Sequence, residues 1–243
     1  MKNKIRYILG TLIILILLGG GIFLYCQNNK DKELTDALKF KEEYESLNGV
    51  KRDTGDIYQT ITIKEDNPIK YISVKEAVEI VKNKTGIIYF GANWCPWCRN
   101  AITVLLSVAK EEKLETIYYL DMTEVRNTWK VEDGKLVKTQ KEQEGYYELL
   151  ELLDSILGED TYKISDDNFT YDTSEKRIYL PMIVAVKNGK IMGNHVGTVS
   201  LIEGQSKYDL LKKNQIQELS KIYINLINET KTSNVCSSNE LCD

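Results

Sequence analysis

One histidine, three prolines and no excess of basic charge mark this chain of 243 residues. His195 is the only candidate for a cysteine-activating imidazole, and its surroundings read as an ordinary strand. No glycine-rich phosphate loop and no internal repeat is present. The 32 basic and 36 acidic residues give a net charge of −4. Lys2, Lys4 and Arg6 precede the first apolar run, so 29 basic and 36 acidic residues follow it, a net of −7. An acidic body does not suit a polyphosphate surface, which sets nucleic acid aside as a partner. No residue pattern asks for a cofactor or a resident metal. The 42% hydrophobic and 28% charged fractions are those of a folded protein with a real core.

What is present begins with the apolar run. Residues 7–26 carry no charge. As a helix they span about 30 Å, the thickness of a hydrocarbon core. The basic end, residues 1–6, places the N-terminus in the cytoplasm and the body outside, at the cell membrane. A retained single-pass anchor is favoured because the run is long for a signal peptide. A cleaved signal near Gly19–Gly21 and a lipidated Cys26 are the competing readings, and all three export the body. An exported chain can hold disulfides, and five cysteines then divide into two pairs and one left over.

Residues 27–56 read as a juxtamembrane stalk with a short helix over 33–47, stopped by Asn48–Gly49. Residues 57–63 alternate as a strand, with Ile57, Gln59, Ile61 and Ile63 on one face. Ser73 and Glu76 form a capping box for a helix to about Asn83. The apolar run Ile87–Phe90 predicts a strand buried on both faces. Directly after it comes Trp94-Cys95-Pro96-Trp97-Cys98, then a helix to about Lys113 and a strand over 116–121. This order predicts a parallel βαβ unit around the cysteines. Residues 122–176 read as a mainly helical insertion, with a small hairpin at Asp133–Gly134, a helix over 143–157 and a polar loop over 160–176. A strand over 179–186, an Asn188–Gly189 hairpin turn and a strand over 190–196 follow. A last amphipathic helix runs from 212 to 227, and residues 230–243 form a polar tail.

A thiol attacks only as thiolate. Cys95 at a strand–helix junction meets unpaired N–H groups and the positive end of the helix dipole. Pro96 suits the first helical position because no N–H is needed there. Cys95 is thus the candidate attacking thiol, and Cys98, one turn inside, the resolving one. Arg99 either adds positive potential or points to solvent. Trp94 and Trp97 either frame a substrate or pack. Cys236 and Cys242 are most simply a structural disulfide in the tail; a second shuttling pair and a zinc site shared with Cys95 and Cys98 are less economical.

Strand, W-C-P-W-C, long helix and the Leu180–Pro181 strand with its hairpin together resemble the thioredoxin superfamily over about residues 57–121 and 178–227. The anchor, the C-P-W-C pair and the insertion resemble the extracytoplasmic thioredoxin-like accessory proteins of Gram-positive bacteria, including those encoded beside bacteriocin transporters. The resemblance implies a mixed sheet flanked by helices, over 57–229. It implies a cis Leu180–Pro181 peptide facing the cysteines, and substrate contacts at Trp94, Pro96, Trp97, Leu180 and Pro181. It implies a protein-disulfide oxidoreductase acting on exported proteins or peptides and serviced by a redox partner protein. The alternative is a non-catalytic accessory serving a peptide exporter. Two departures stand out: Tyr89 occupies the place of the family's buried Asp, and Pro-Trp separates the cysteines where Gly-Pro is typical. The residues between the cysteines tune the potential, so direction is not inherited.

Overall fold

The computed structural model describes residues 34–166 and 169–231. The apolar run 7–26, Cys26, Cys236 and Cys242 lie outside them. Among the described residues no helix is long and apolar enough to cross a membrane. The compact unit that carries the structure begins at Asp36.

A five-stranded sheet forms its centre. Strands β1 (Ile69–Tyr71), β2 (Gly86–Gly91), β3 (Ile117–Asp121), β8 (Met182–Lys187) and β9 (Lys190–Val196) lie in the order β1-β3-β2-β8-β9. The pairs β1/β3 and β2/β3 are parallel, and β2/β8 and β8/β9 antiparallel. The parallel pairs need crossovers, which α2 (Val74–Asn83) and α3 (Pro96–Glu111) supply. Because side chains alternate along a strand, β2 feeds two cores. Ile87 and Tyr89 join α3 and the final helix α6 (Lys213–Lys231) through Ile102, Leu105, Leu219 and Tyr223. Ile88 and Phe90 join α2 and α4 (Tyr146–Leu152) through Ala77, Val81 and Leu149. The capping box of α2 is complete: the Ser73 hydroxyl accepts from the Glu76 N–H, and the Glu76 carboxylate accepts from the Ser73 N–H.

The Asn188–Gly189 turn closes β8 onto β9 with both residues at positive φ, 49° and 71°. Only glycine fits the second place. An added Cβ there would lie 2.0 Å from the Lys82 carbonyl oxygen, because the turn docks on the end of α2.

Three expectations need correction. Residues 57–63 are extended and their Gln59, Ile61 and Ile63 are buried, yet they form no strand. Their backbone donors go elsewhere: Ile61 N–H to Asn48 Oδ1 (3.0 Å) and Ile63 N–H to Glu45 Oε1 (2.7 Å). The first strand is β1 instead. The helix assigned to a stalk is α1 (Asp36–Glu45), and it belongs to the core, with Phe40 and Tyr44 fully buried. Phe40 meets Tyr119 of β3 edge-on, with ring centroids 4.9 Å apart. The insertion is not mainly helical. It holds two hairpins, β4 (Thr128–Glu132) with β5 (Lys135–Gln140) and β6 (Lys163–Asp166) with β7 (Phe169–Asp172), around α4 and α5 (Asp154–Leu157). The second hairpin falls in the stretch expected as loop; its strands are largely exposed, so no hydrophobic alternation announces them.

Candidate active site

The chain leaves β2 at Gly91, turns through Ala92–Trp94 and enters α3 with Cys95 as N-cap and Pro96 in the first turn. An N-cap side chain is aimed at the open N–H groups of the first turn. Here the acceptor is sulfur: the Cys98 N–H donates to Cys95 Sγ at 3.2 Å. Cys95 is 5% exposed and Cys98 fully buried, so Cys95 alone borders solvent.

The two thiols are pushed in opposite directions. The hydrogen bond from the Cys98 thiol lowers the Cys95 pKa most; burial opposes it, and the N–H groups of Cys98 and Trp97 and the Arg126 guanidinium assist. Burial pushes the Cys98 thiol well up, and the neighbouring Cys95 sulfur pushes it further. At neutral pH the pair therefore presents one activated sulfur and one protonated thiol.

Opposite them the Leu180–Pro181 peptide bond is cis. The Leu180 carbonyl oxygen lies 3.8 Å from Cys95 Sγ, and the Pro181 carbonyl accepts from the Gly197 N–H at 2.8 Å. Leu180 is half-buried and Pro181 buried. Trp94 stands at the rim, 36% exposed, with its indole N–H donating to Thr123 Oγ1 at 3.0 Å. Trp97 is half-buried and packs on the core. Pro96 is half-buried, and its carbonyl accepts from Gln59 Nε2 at 3.1 Å. The structure thus gathers Trp94, Cys95, Cys98 and Leu180 at one place and turns Trp97 inward. His195 is half-buried, with Nε2 3.2 Å from the Thr198 carbonyl oxygen and its ring edge-on to Tyr223. Among the described residues no group of three or more His, Cys, Asp or Glu side chains comes together as a metal site would require.

Two arginines sit where the sequence does not point. Arg99 neither faces solvent nor lends charge to Cys95. It is fully buried and donates to the carbonyls of Tyr44 (2.6 Å), Gln59 (2.7 Å) and Asn93 (3.3 Å) and to Asn48 Oδ1 (2.6 Å). Arg126, from the insertion, donates to the Ile178 carbonyl at 3.1 Å and lies 5.9 Å from the Trp94 ring centroid. A lone arginine 31 residues beyond Cys95 carries no local signal in the sequence. Replacing Arg126 by glutamine should slow alkylation of Cys95 by iodoacetamide at pH 7 about threefold, because the thiolate loses a positive neighbour. An unchanged rate would show that Arg126 acts only on the fold.

The mixed five-stranded sheet with helices on both faces fits a thioredoxin-like α/β fold. No family model matches the chain, and no curated protein matches it. Among solved structures it is similar to thioredoxin O2 from Arabidopsis thaliana in the oxidized state. That match is 14% identical and covers 66% of this chain and 96% of the other, at a TM-score of 0.35. So loose a superposition carries no argument, and the assignment of the fold rests on sheet order and packing.

Proposed function

We propose that the chain is a thiol–disulfide oxidoreductase working through Cys95 and Cys98. The observation that carries this reading is the N-cap position of Cys95, whose sulfur accepts the Cys98 N–H beside a buried second thiol. That arrangement makes a nucleophile and its resolver from two residues.

In the reducing direction the Cys95 thiolate attacks a substrate disulfide. A Cys95–substrate S–S bond forms, the substrate S–S bond breaks, and the departing sulfur takes up a proton. Cys98 gives up its proton and attacks Cys95, forming the Cys95–Cys98 disulfide and releasing the second substrate thiol. Two electrons pass from the pair to the substrate, and the reverse sequence oxidises. Trp94 at the rim and the Leu180 carbonyl beside Cys95 are the surfaces a substrate would meet. Together with Pro96 and Pro181 they make up the proposed substrate-binding edge, while the buried side of Trp97 contributes packing.

The uncharged run 7–26 behind a basic end supports anchoring in the cell membrane with the domain outside. Exported proteins or peptides with thiols or disulfides are then the substrates, and a redox partner protein restores the pair. The likeness to bacteriocin-transport accessory proteins belongs to this proposal too.

The test is the reduction potential of the pair, measured on the full chain with Cys26, Cys236 and Cys242 replaced by serine. Equilibration with glutathione buffers, acid trapping and mass would count free thiols at each poise, with about 30 mV shifting the equilibrium tenfold. A two-thiol transition within reach of glutathione supports the reading and sets the direction. Absence of any Cys95–Cys98 disulfide under every poise would sink it.

A further inference from the structure

Cys98 presents a problem that the site described so far does not solve. To resolve a mixed disulfide it must carry negative charge in a fully buried position. Among the described residues no carboxylate forms an ion pair or hydrogen bond with either cysteine. Beside Cys98, in addition to the Ala92 backbone, lies a pair of tyrosine hydroxyls. The Tyr89 hydroxyl donates to the Cys98 carbonyl oxygen at 3.3 Å and lies 3.1 Å from the Tyr44 hydroxyl. Both tyrosines are fully buried.

The fold builds this pair from three places. Tyr89 comes from β2, and its ring crosses the face above Gly91, where an added Cβ would lie 2.6 Å from the hydroxyl oxygen. Glycine at that position is therefore what admits the ring. Tyr44 comes from α1, held by Arg99, whose guanidinium grips the Tyr44 carbonyl. The Tyr89 ring stacks on Tyr119 of β3, with centroids 5.4 Å apart. Two hydroxyls share two protons: if Tyr44 donates to the Tyr89 oxygen, the Tyr89 proton, now on the Cys98 carbonyl, can turn from it to the sulfur of the same residue.

We propose that the Tyr89 hydroxyl, oriented by Tyr44, is the hydrogen-bond donor to the Cys98 sulfur as that sulfur becomes anionic during resolution. The proposal rests on the thiol–disulfide reading above. The balance is simple. The Cys98–Cys95 S–S bond forms and the Cys95–substrate bond breaks. The electron pair leaves on the substrate sulfur, and the proton lost by Cys98 is matched by the one that sulfur takes up in solvent. Tyr89 ends with the proton it began with. Burial holds the pKa of both tyrosines well above the ordinary phenol value, which keeps them donors throughout the working range. Against the effect of burial, the Ala92 backbone and then the Tyr89 hydroxyl pull the Cys98 thiol back down. Tyr44 is a positioning residue, one step removed from the sulfur.

The experiment uses the full chain in the background with Cys26, Cys236 and Cys242 as serine. One equivalent of 5,5′-dithiobis(2-nitrobenzoate) is mixed with the reduced protein. Cys95 releases the first thionitrobenzoate and Cys98 the second, so attack and resolution are timed separately. In Tyr89→Phe the second release should slow about tenfold near pH 7, in keeping with the loss of a hydrogen bond to a charged group. The first should stay within about twofold. The pH limb of the second release should move to higher pH. The groups facing Cys98 and Tyr89 are Cys95 at the N-cap of α3, Arg99 of α3, Tyr44 of α1, Tyr119 of β3, Tyr223 of α6 and Arg126 of the insertion. The tyrosines among them are all held above their ordinary value by burial, so the limb reads Cys98. Tyr44→Phe keeps the Tyr89 hydroxyl and should show a smaller loss of the same kind, which covers the case of a poorly folding Tyr89→Phe. Equal slowing of both releases, or an unchanged second release and pH profile, overturns the proposal. A wild-type protein that gives only one release overturns the oxidoreductase reading itself.

Discussion

Serine at Cys95 should abolish disulfide exchange, with a loss of about a thousandfold or more in rate, while leaving the fold intact. The two halves of this expectation have separate causes. A serine hydroxyl is not ionised near pH 7 and forms no disulfide, so the first bond of the sequence cannot form. Serine is nonetheless a preferred N-cap, and its oxygen can accept the Cys98 N–H that sulfur accepts now. Thermal stability should therefore stay within about 1 kcal/mol of the parent. Serine at Cys98 should behave differently. The attacking sulfur remains, but nothing resolves the mixed disulfide, so adducts should accumulate and be visible by mass. If the Cys95 variant still exchanges disulfides through Cys98, the order of the two thiols is wrong. If it supports its partner's export in cells as well as the parent does, the accessory reading replaces the enzymatic one.

Much of the central unit was legible because its signals are local. The Ser73–Glu76 box, the Ile87–Phe90 run, the cysteines at a strand–helix junction and the Asn188–Gly189 turn each occupy a few consecutive residues. Each does in the structure what its local chemistry implies. Segment 57–63 shows the limit. Its alternation holds only from Gln59 onward, with Ile61 and Ile63 inside and Thr60 and Thr62 outside; at its start Ile57 is exposed and Tyr58 buried, the reverse of the reading. The period reports burial, though, and not the partner, and the partner is α1 and the turn after it. Tyr44 and Arg126 reach the site from 51 residues before and 31 residues after Cys95, where no sequence spacing points at it. The β6–β7 hairpin escaped for the opposite reason: only the paired Ile164 and Tyr171 are even partly buried, too little for a pattern to read.

Arg99→Ala should cost about 3–5 kcal/mol, the largest stability loss expected from a single substitution outside the apolar core. For a domain of this size that is a fall of roughly 10 °C in Tm. The guanidinium serves four oxygens on four different residues, separated from it by 6, 40, 51 and 55 positions. Alanine leaves Tyr44 O, Gln59 O, Asn93 O and Asn48 Oδ1 short of a donor and opens a void of side-chain size. Asn48 Oδ1 keeps a second donor, the Ile61 N–H. The loss should concentrate where those oxygens lie, so amides around α1 and residues 58–63 should exchange faster in deuterated water than those of β2. Lysine at this position keeps the charge but not the planar fork and should recover only part of the stability. It should also loosen Tyr44, whose carbonyl Arg99 holds, and so slow the second release more than the first. A Tm within 2 °C of the parent for Arg99→Ala would show that Phe40 and Tyr44 packing and the hydrogen bonds from Ile63, Tyr71 and Asn93 hold α1 without it. In that case Arg99 would have no part in joining α1 to the cysteines.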